Sequence, residues 1–173
     1  MKIEDKEIYF GIDKPTPYFQ VRDEHRIRFG HEKMQGSLIK QIITDIYSND
    51  NFNMEFLLRV IEGHYIQNEK TNLGRYFNIT NWKEVFYKGE EAVDYINAIV
   101  RGIEFKPLVK YITKVIRGNE KSAYIIFYSS DKLIYVSSDV IDIVSHDKKF
   151  IEEMKKKYEG TYDTYWVGRH NDE

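Results

Sequence analysis

The stretch Ala123 to Ser145, AYIIFYSSDKLIYVSSDVIDIVS, sets the tightest limit on what this chain can become. Two aromatic and β-branched runs flank Ser129-Ser130-Asp131-Lys132, and a third run follows directly. Tyr124, Ile126 and Tyr128 alternate with Ile125 and Phe127, which is the period-two pattern of a strand, and the polar residues between supply a turn into Leu133 to Val136. Asp139 to Val144 is the candidate third strand. Asp142 is awkward in the middle of an apolar face, so it is expected at an edge or facing solvent.

Elsewhere the spacing changes. Leu38, Ile39, Ile42, Ile43 and Ile46 form a helical stripe that Ser37 can cap. After a polar break at Ser48-Asn49-Asp50-Asn51, Met54, Leu57, Leu58, Ile61 and Tyr65 predict a second helix, with Gly63 near its end. Trp82 to Tyr87 is a short helical candidate, and Ala92, Tyr95, Ile96, Ile99 and Val100 predict another helix behind Glu90-Glu91. Pro107 suits the first turn of the next, whose apolar side is Leu108, Tyr111, Ile112, Val115 and Ile116 and whose stop is Gly118-Asn119. Near the start, Glu7 to Ile12 reads as a short strand ended by two prolines. Tyr18 to Arg22 and Arg26 to Phe29 read as a hairpin displaying Arg22, Arg26 and Arg28 in some combination. A final helix begins near His146-Asp147, with Asp147 as its cap, and uses Phe150, Ile151 and Met154.

These elements predict a single α+β domain over 1–173, an antiparallel sheet of about five or six strands packed with about three to five helices. Residues 159–173 are an aromatic and charged tail that either packs on the domain or binds a partner. The opening residues mix charges and lack a leader's apolar core of about 7–15 residues, and no run of about 18 apolar residues could cross a bilayer. No membrane association is expected, and the cytoplasm is the expected location. The chain has no cysteine, which removes disulfides, thiolate nucleophiles and Cys-based zinc sites.

Little points to catalysis. His25, His31, His64, His146 and His170 show no metal-ligand spacing, and Asp139 and Asp142 sit three apart with no defined convergence. Gly36-Ser37 lacks a phosphate-cradling loop, Gly168-Arg169-His170 lacks a strand-to-helix setting, and no serine occupies a nucleophile elbow. No cofactor, metal or catalytic residue is assigned. The net charge of −2 conceals an asymmetry: Arg101 to Lys121 carries six basic residues against Glu104 and Glu120, whereas Asp45 to Glu62 carries four acids against Arg59. Separated patches of that kind favour a protein partner over a bulk polyanion.

The expected protein-binding residues are therefore Lys106, Lys110, Lys114 and Arg117, the charged side of one helix, together with Tyr162, Tyr165 and Trp166 of the tail. The function expected is a small protein-binding or inhibitory protein, such as a bacterial immunity protein or a phage inhibitor, blocking an acidic protein surface by bulk and charge. A second copy of the chain is the other candidate partner. Two alternatives stand behind it: a hydrolase or transferase whose site gathers distant acids with His25 and His146, and a nucleic-acid-binding accessory protein that joins the helix cations to the hairpin arginines.

Overall fold

The computed structural model describes residues 2–3, 6–47, 51–90 and 92–168. Arg169, His170, Glu91 and most of the polar break at 48–50 therefore lie outside the described residues. Among the described residues, eight strands form one antiparallel sheet and three α-helices cover one of its faces. This corrects the expected sheet of five or six strands.

In chain order the elements are β1 (Lys2–Ile3), β2 (Lys6–Glu7), β3 (Arg26–Gly30), α1 (Gly36–Tyr47), β4 (Phe52–Glu62), β5 (Tyr65–Asn68), β6 (Trp82–Tyr87), β7 (Val93–Ile103), α2 (Phe105–Ile116), β8 (Ile125–Tyr128), β9 (Lys132–Val136), β10 (Val140–Ser145) and α3 (Lys148–Lys157). The sheet runs β3-β10-β9-β8-β4-β7-β6, with β5 pairing β4 off that path, while β1 and β2 form a separate two-stranded pair. The segment 123–145 forms β8, β9 and β10 as its alternation predicts, and the β8–β9 turn closes with Ser129 N donating to Lys132 O at 2.8 Å.

The additional strands come from segments with helical spacing. β4 and β7 pair along most of their length, yet Met54, Leu57, Leu58 and Ile61 fall at the i, i+3, i+4, i+7 positions of a helix. An irregularity in pairing between Leu57 and Arg59 shifts the alternation by one residue in mid-strand. Such a bulge converts a two-residue period into an apparent helical one. Gly63, at φ +57°, makes the tight turn from β4 into β5, a left-handed conformation that glycine adopts without a Cβ clash. In β7, Ala98 and Val100 are buried beneath the helices, and Tyr95 and Asn97 are buried on the opposite face. A strand covered on both faces loses its polar alternation, so spacing alone cannot separate it from a helix. β6, read as a short helix, pairs with β7 from Trp82 to Tyr87.

The early hairpin is also corrected. Pro17–Gln20 and Asp23–His25 are 3₁₀ turns, leaving β3 as the only strand of that region, and the strand expected at Glu7 to Ile12 reduces to Lys6–Glu7. Arg26 and Arg28 are buried rather than displayed. Asp142 is 0% exposed, and its two oxygens accept from Arg28 Nε at 2.6 Å and Nη2 at 2.7 Å. The water that was expected to solvate Asp142 is thus replaced by a two-pronged guanidinium partner against the rings of Tyr18 and Phe19.

The helices match their sequence patterns more closely. Ile39, Ile42, Ile43 and Ile46 are all buried beneath α1, although the helix starts at Gly36 and places Ser37 inside its first turn. α2 ends with Gly118 at φ +67°, whose N–H donates to Val115 O at 2.9 Å. Asp147 caps α3 by accepting from Lys149 N at 2.9 Å. Beneath these helices lies the main core. A smaller core on the opposite face joins Ile3, Ile8 and Phe10 of the N-terminal segment to Ile126, Leu133 and Val144.

Candidate functional site

α2 buries Leu108, Tyr111, Ile112 and Val115 and packs against α1, so the opposite side faces solvent. Lys106, Lys110, Lys114 and Arg117 are all exposed there. None forms an ion pair with a carboxylate among the described residues, and Lys110 Nζ lies 5.8 Å from the centre of the Tyr76 ring. Glu120, the acid just beyond the row, accepts from Asn72 Nδ2 at 3.1 Å and from Tyr76 Oη at 2.9 Å. Those bonds hold its carboxyl below the ordinary value and commit it to neighbours other than the four cations.

The tail folds back along the edge strand β3. Asp163 N donates to Arg28 O at 2.8 Å, Gly168 N donates to Asp23, and Trp166 packs edge-on against Phe19 with ring centres 5.2 Å apart. Tyr162 is half-buried against the main core, Trp166 is half-buried, and Tyr165 is 59% exposed. The aromatic residues thus cap the β3 edge, while the cation row belongs to α2 beside α1. No hydrogen bond, ion pair or ring contact joins the two sets among the described residues.

His25 is buried, with Nδ1 2.7 Å from the Ser145 carbonyl, whereas His31, His64 and His146 are exposed. His25 therefore approaches the backbone immediately before His146, and Asp147 beside it is engaged in capping. Asp139 is exposed while Asp142 is closed off by Arg28, so the two acids do not share a site. His31 and Asp139 border a cavity of about 490 Å³ together with Asp163 and Tyr165. Among the described residues, no three His, Asp or Glu side chains are grouped to hold a metal ion, and no helix is long and apolar enough to cross a membrane.

The sheet face away from the helices carries the features that spacing did not reveal. Trp82, Lys83, Arg101 and Tyr128 border an open groove of about 840 Å³ over β6, β7, β4 and β8. Tyr128 also borders a second cavity, of about 230 Å³, which contains Glu55 and Tyr87 and is covered by the N-terminal segment. Compared with protein-family models, with curated proteins and with solved structures, the chain matches none. Glu55 and Tyr87 both fell in segments read as helices, where Glu55 would be an ordinary exposed acid. The signal that could have marked it is an acid directly between Met54 and Phe56, since one face of a strand was already apolar there.

Proposed function

We propose that the protein is a small binding or inhibitory protein that blocks an acidic protein partner by bulk and charge, acting in the cytoplasm in the manner of a bacterial immunity protein or a phage inhibitor. The observation that carries this is the α2 row, four exposed cations with no carboxylate paired to them among the described residues. Unpaired cations leave their field directed at solvent, where it accelerates encounter with an acidic surface and repels a basic one. Tyr165 offers an exposed ring at the tail, edge-on to Trp166, and with Tyr162, half-buried against the main core, these residues form the second contact region. Burial of Arg26 and Arg28 removes two cations from the surface that a nucleic-acid interface would use, which supports ranking nucleic acid behind protein.

Retention of a partner from native cells, followed by binding to that purified partner, tests the proposal. The triple variant Lys106→Glu, Lys110→Glu, Lys114→Glu is expected to slow association by about tenfold or more at low salt while leaving the fold intact. Unchanged association, or stronger salt-sensitive binding to generic DNA than to any protein, would reverse it.

A second copy of the chain is a separate reading with its own observation. β6 is the terminal strand of the sheet, its outer edge has no backbone partner among the described residues, and Trp82 and Phe86 are exposed on it. The tail covers the opposite edge, β3, but nothing comparable covers β6 among the described residues. Light scattering would show a dimer that Phe86→Lys converts to a monomer, whereas a wild-type chain that stays monomeric at every concentration excludes this reading.

A further inference from the structure

Glu55 is a buried acid in the middle of β4 that no basic side chain among the described residues pairs with. It is 8% exposed, and its Oε1 accepts from Asn97 Nδ2 at 2.8 Å and from Tyr87 Oη at 3.0 Å. Among the described residues its Oε2 accepts no hydrogen bond, and no lysine, arginine or histidine side chain forms an ion pair with it. Burial pushes the carboxyl above its ordinary value, against the opposing pull of the Asn97 and Tyr87 hydrogen bonds and of the charge on the chain's own N-terminal ammonium. A desolvated carboxylate with one open oxygen is costly unless a donor or a cation completes it.

The open side of this group meets the cavity of about 230 Å³ bordered by Glu7, Tyr9, Phe10, Tyr87 and Tyr128. Its walls are held in place. Tyr87 stacks on Tyr95 with ring centres 5.1 Å apart, Phe10 stacks on Tyr124 at 4.5 Å, and Gln20 clamps the Tyr9 backbone through bonds of 2.9 and 2.7 Å. The second acid, Glu7, accepts from Tyr9 Oη at 3.2 Å and is exposed at the rim. Two carboxylates and several tyrosine rings thus border one small space, and no basic side chain lines it among the described residues.

We propose that the Glu55 cavity binds a primary alkylammonium group, with Glu55 Oε2 as its principal acceptor and the tyrosine rings as its cation-attracting wall. Aromatic faces attract a positive charge, most strongly when water is excluded. The volume lies below the range of about 300–1,000 Å³ usual for a drug-sized ligand, which suits a single side chain or a small amine. Ammonium fits better than guanidinium. The planar fork of guanidinium is recognised through both carboxylate oxygens, and Asn97 and Tyr87 already occupy Oε1, whereas an ammonium needs only one oxygen for one of its three donors. This site lies on the sheet and does not depend on the α2 row.

Titration of the full-length, ¹⁵N-labelled protein with n-butylammonium, followed through the Asn97 side-chain amide and the Glu55 backbone signals, tests the inference. Saturable shifts are expected with n-butylammonium, and none with the neutral n-butanol. Glu55→Gln preserves size and an acceptor for Asn97, and should weaken binding by about tenfold or more. Glu55→Asp retains the charge but withdraws it, and should bind at an intermediate strength, which keeps the test informative if the Gln variant folds poorly. Nα-acetyl-lysine amide distinguishes the sources: binding as tight as n-butylammonium points to a lysine of a partner protein, and much weaker binding to a free small amine. Equal binding of n-butanol, unchanged binding in Glu55→Gln, or the absence of saturable shifts would overturn the proposal.

Discussion

On the helix-bearing face of the sheet, Phe29, Phe52, Met54, Phe127, Ile134 and Ile143 meet the isoleucines of α1 and the apolar side of α2. On the other face, the same strands present Arg28, Asp142, Glu55, Asn97 and a series of tyrosines to an N-terminal segment with little regular structure. The first face is held by apolar burial, which tolerates many arrangements of similar volume. The second depends on specific partners for buried polar groups, where each loss leaves another group unsatisfied. One sheet therefore carries its main apolar core on one side and, on the other, a smaller core joined to buried polar pairs.

The largest expected losses are equal in size on the two faces but differ in cause. Phe127→Ala should destabilise by about 3–5 kcal/mol through a cavity in the helix-side core, and Asp142→Ala by about 3–5 kcal/mol by leaving Arg28 buried without its partner. Urea denaturation of each variant measures both. The comparison sharpens with the pair Arg28→Met and Asp142→Leu, which should recover most of the Asp142→Ala loss because two apolar side chains leave no orphaned charge. If the double variant is as unstable as Asp142→Ala, the polar face is not governed by pairing.

A smaller effect is expected at Gly11, where an added Cβ would run into the Tyr95 hydroxyl and the Asp13 carboxylate beneath the N-terminal segment. Gly11→Ala should cost about 1–3 kcal/mol by overpacking, and a hydrogen-exchange map should show the loss of protection confined to the second face. The smallest expected effect depends on pH. Because burial raises the Glu55 carboxyl from its ordinary value of 4.5, the folded chain keeps a proton that the unfolded chain has released. That contribution to stability is complete below 4.5 and is lost as the pH rises through the raised value. Wild type should lose stability relative to Glu55→Gln as the pH is raised across that window, and parallel denaturation series at several pH values would show it. A constant difference between the two proteins would mean that Glu55 is not desolvated.

The two faces were also unequally legible. α1, α2 and α3 followed from apolar spacing, and α3 also from its Asp147 cap, because each lies on the surface with one wet side. The cation row on α2 was legible for the same reason: a side chain opposite an apolar stripe has to meet solvent. β4 and β7 were not legible, since a mid-strand irregularity in one and burial on both faces of the other erased the two-residue period. Glu55 and Tyr87 disappeared with them. Asp142 was recognised as a misfit, but the partner that relieves it, Arg28, lies 114 positions away in the chain.

The sequence by itself determined the β8–β10 unit, the three helices and the exposure of Lys106, Lys110, Lys114 and Arg117, because those depend on the local period of apolar residues. Only the tertiary structure decided the eight-stranded sheet, the burial of Arg28 with Asp142 and the convergence of Glu55, Asn97 and Tyr87 under the N-terminal segment. Those features arise from pairing between distant strands, and a residue's neighbour across a sheet has no fixed separation along the chain.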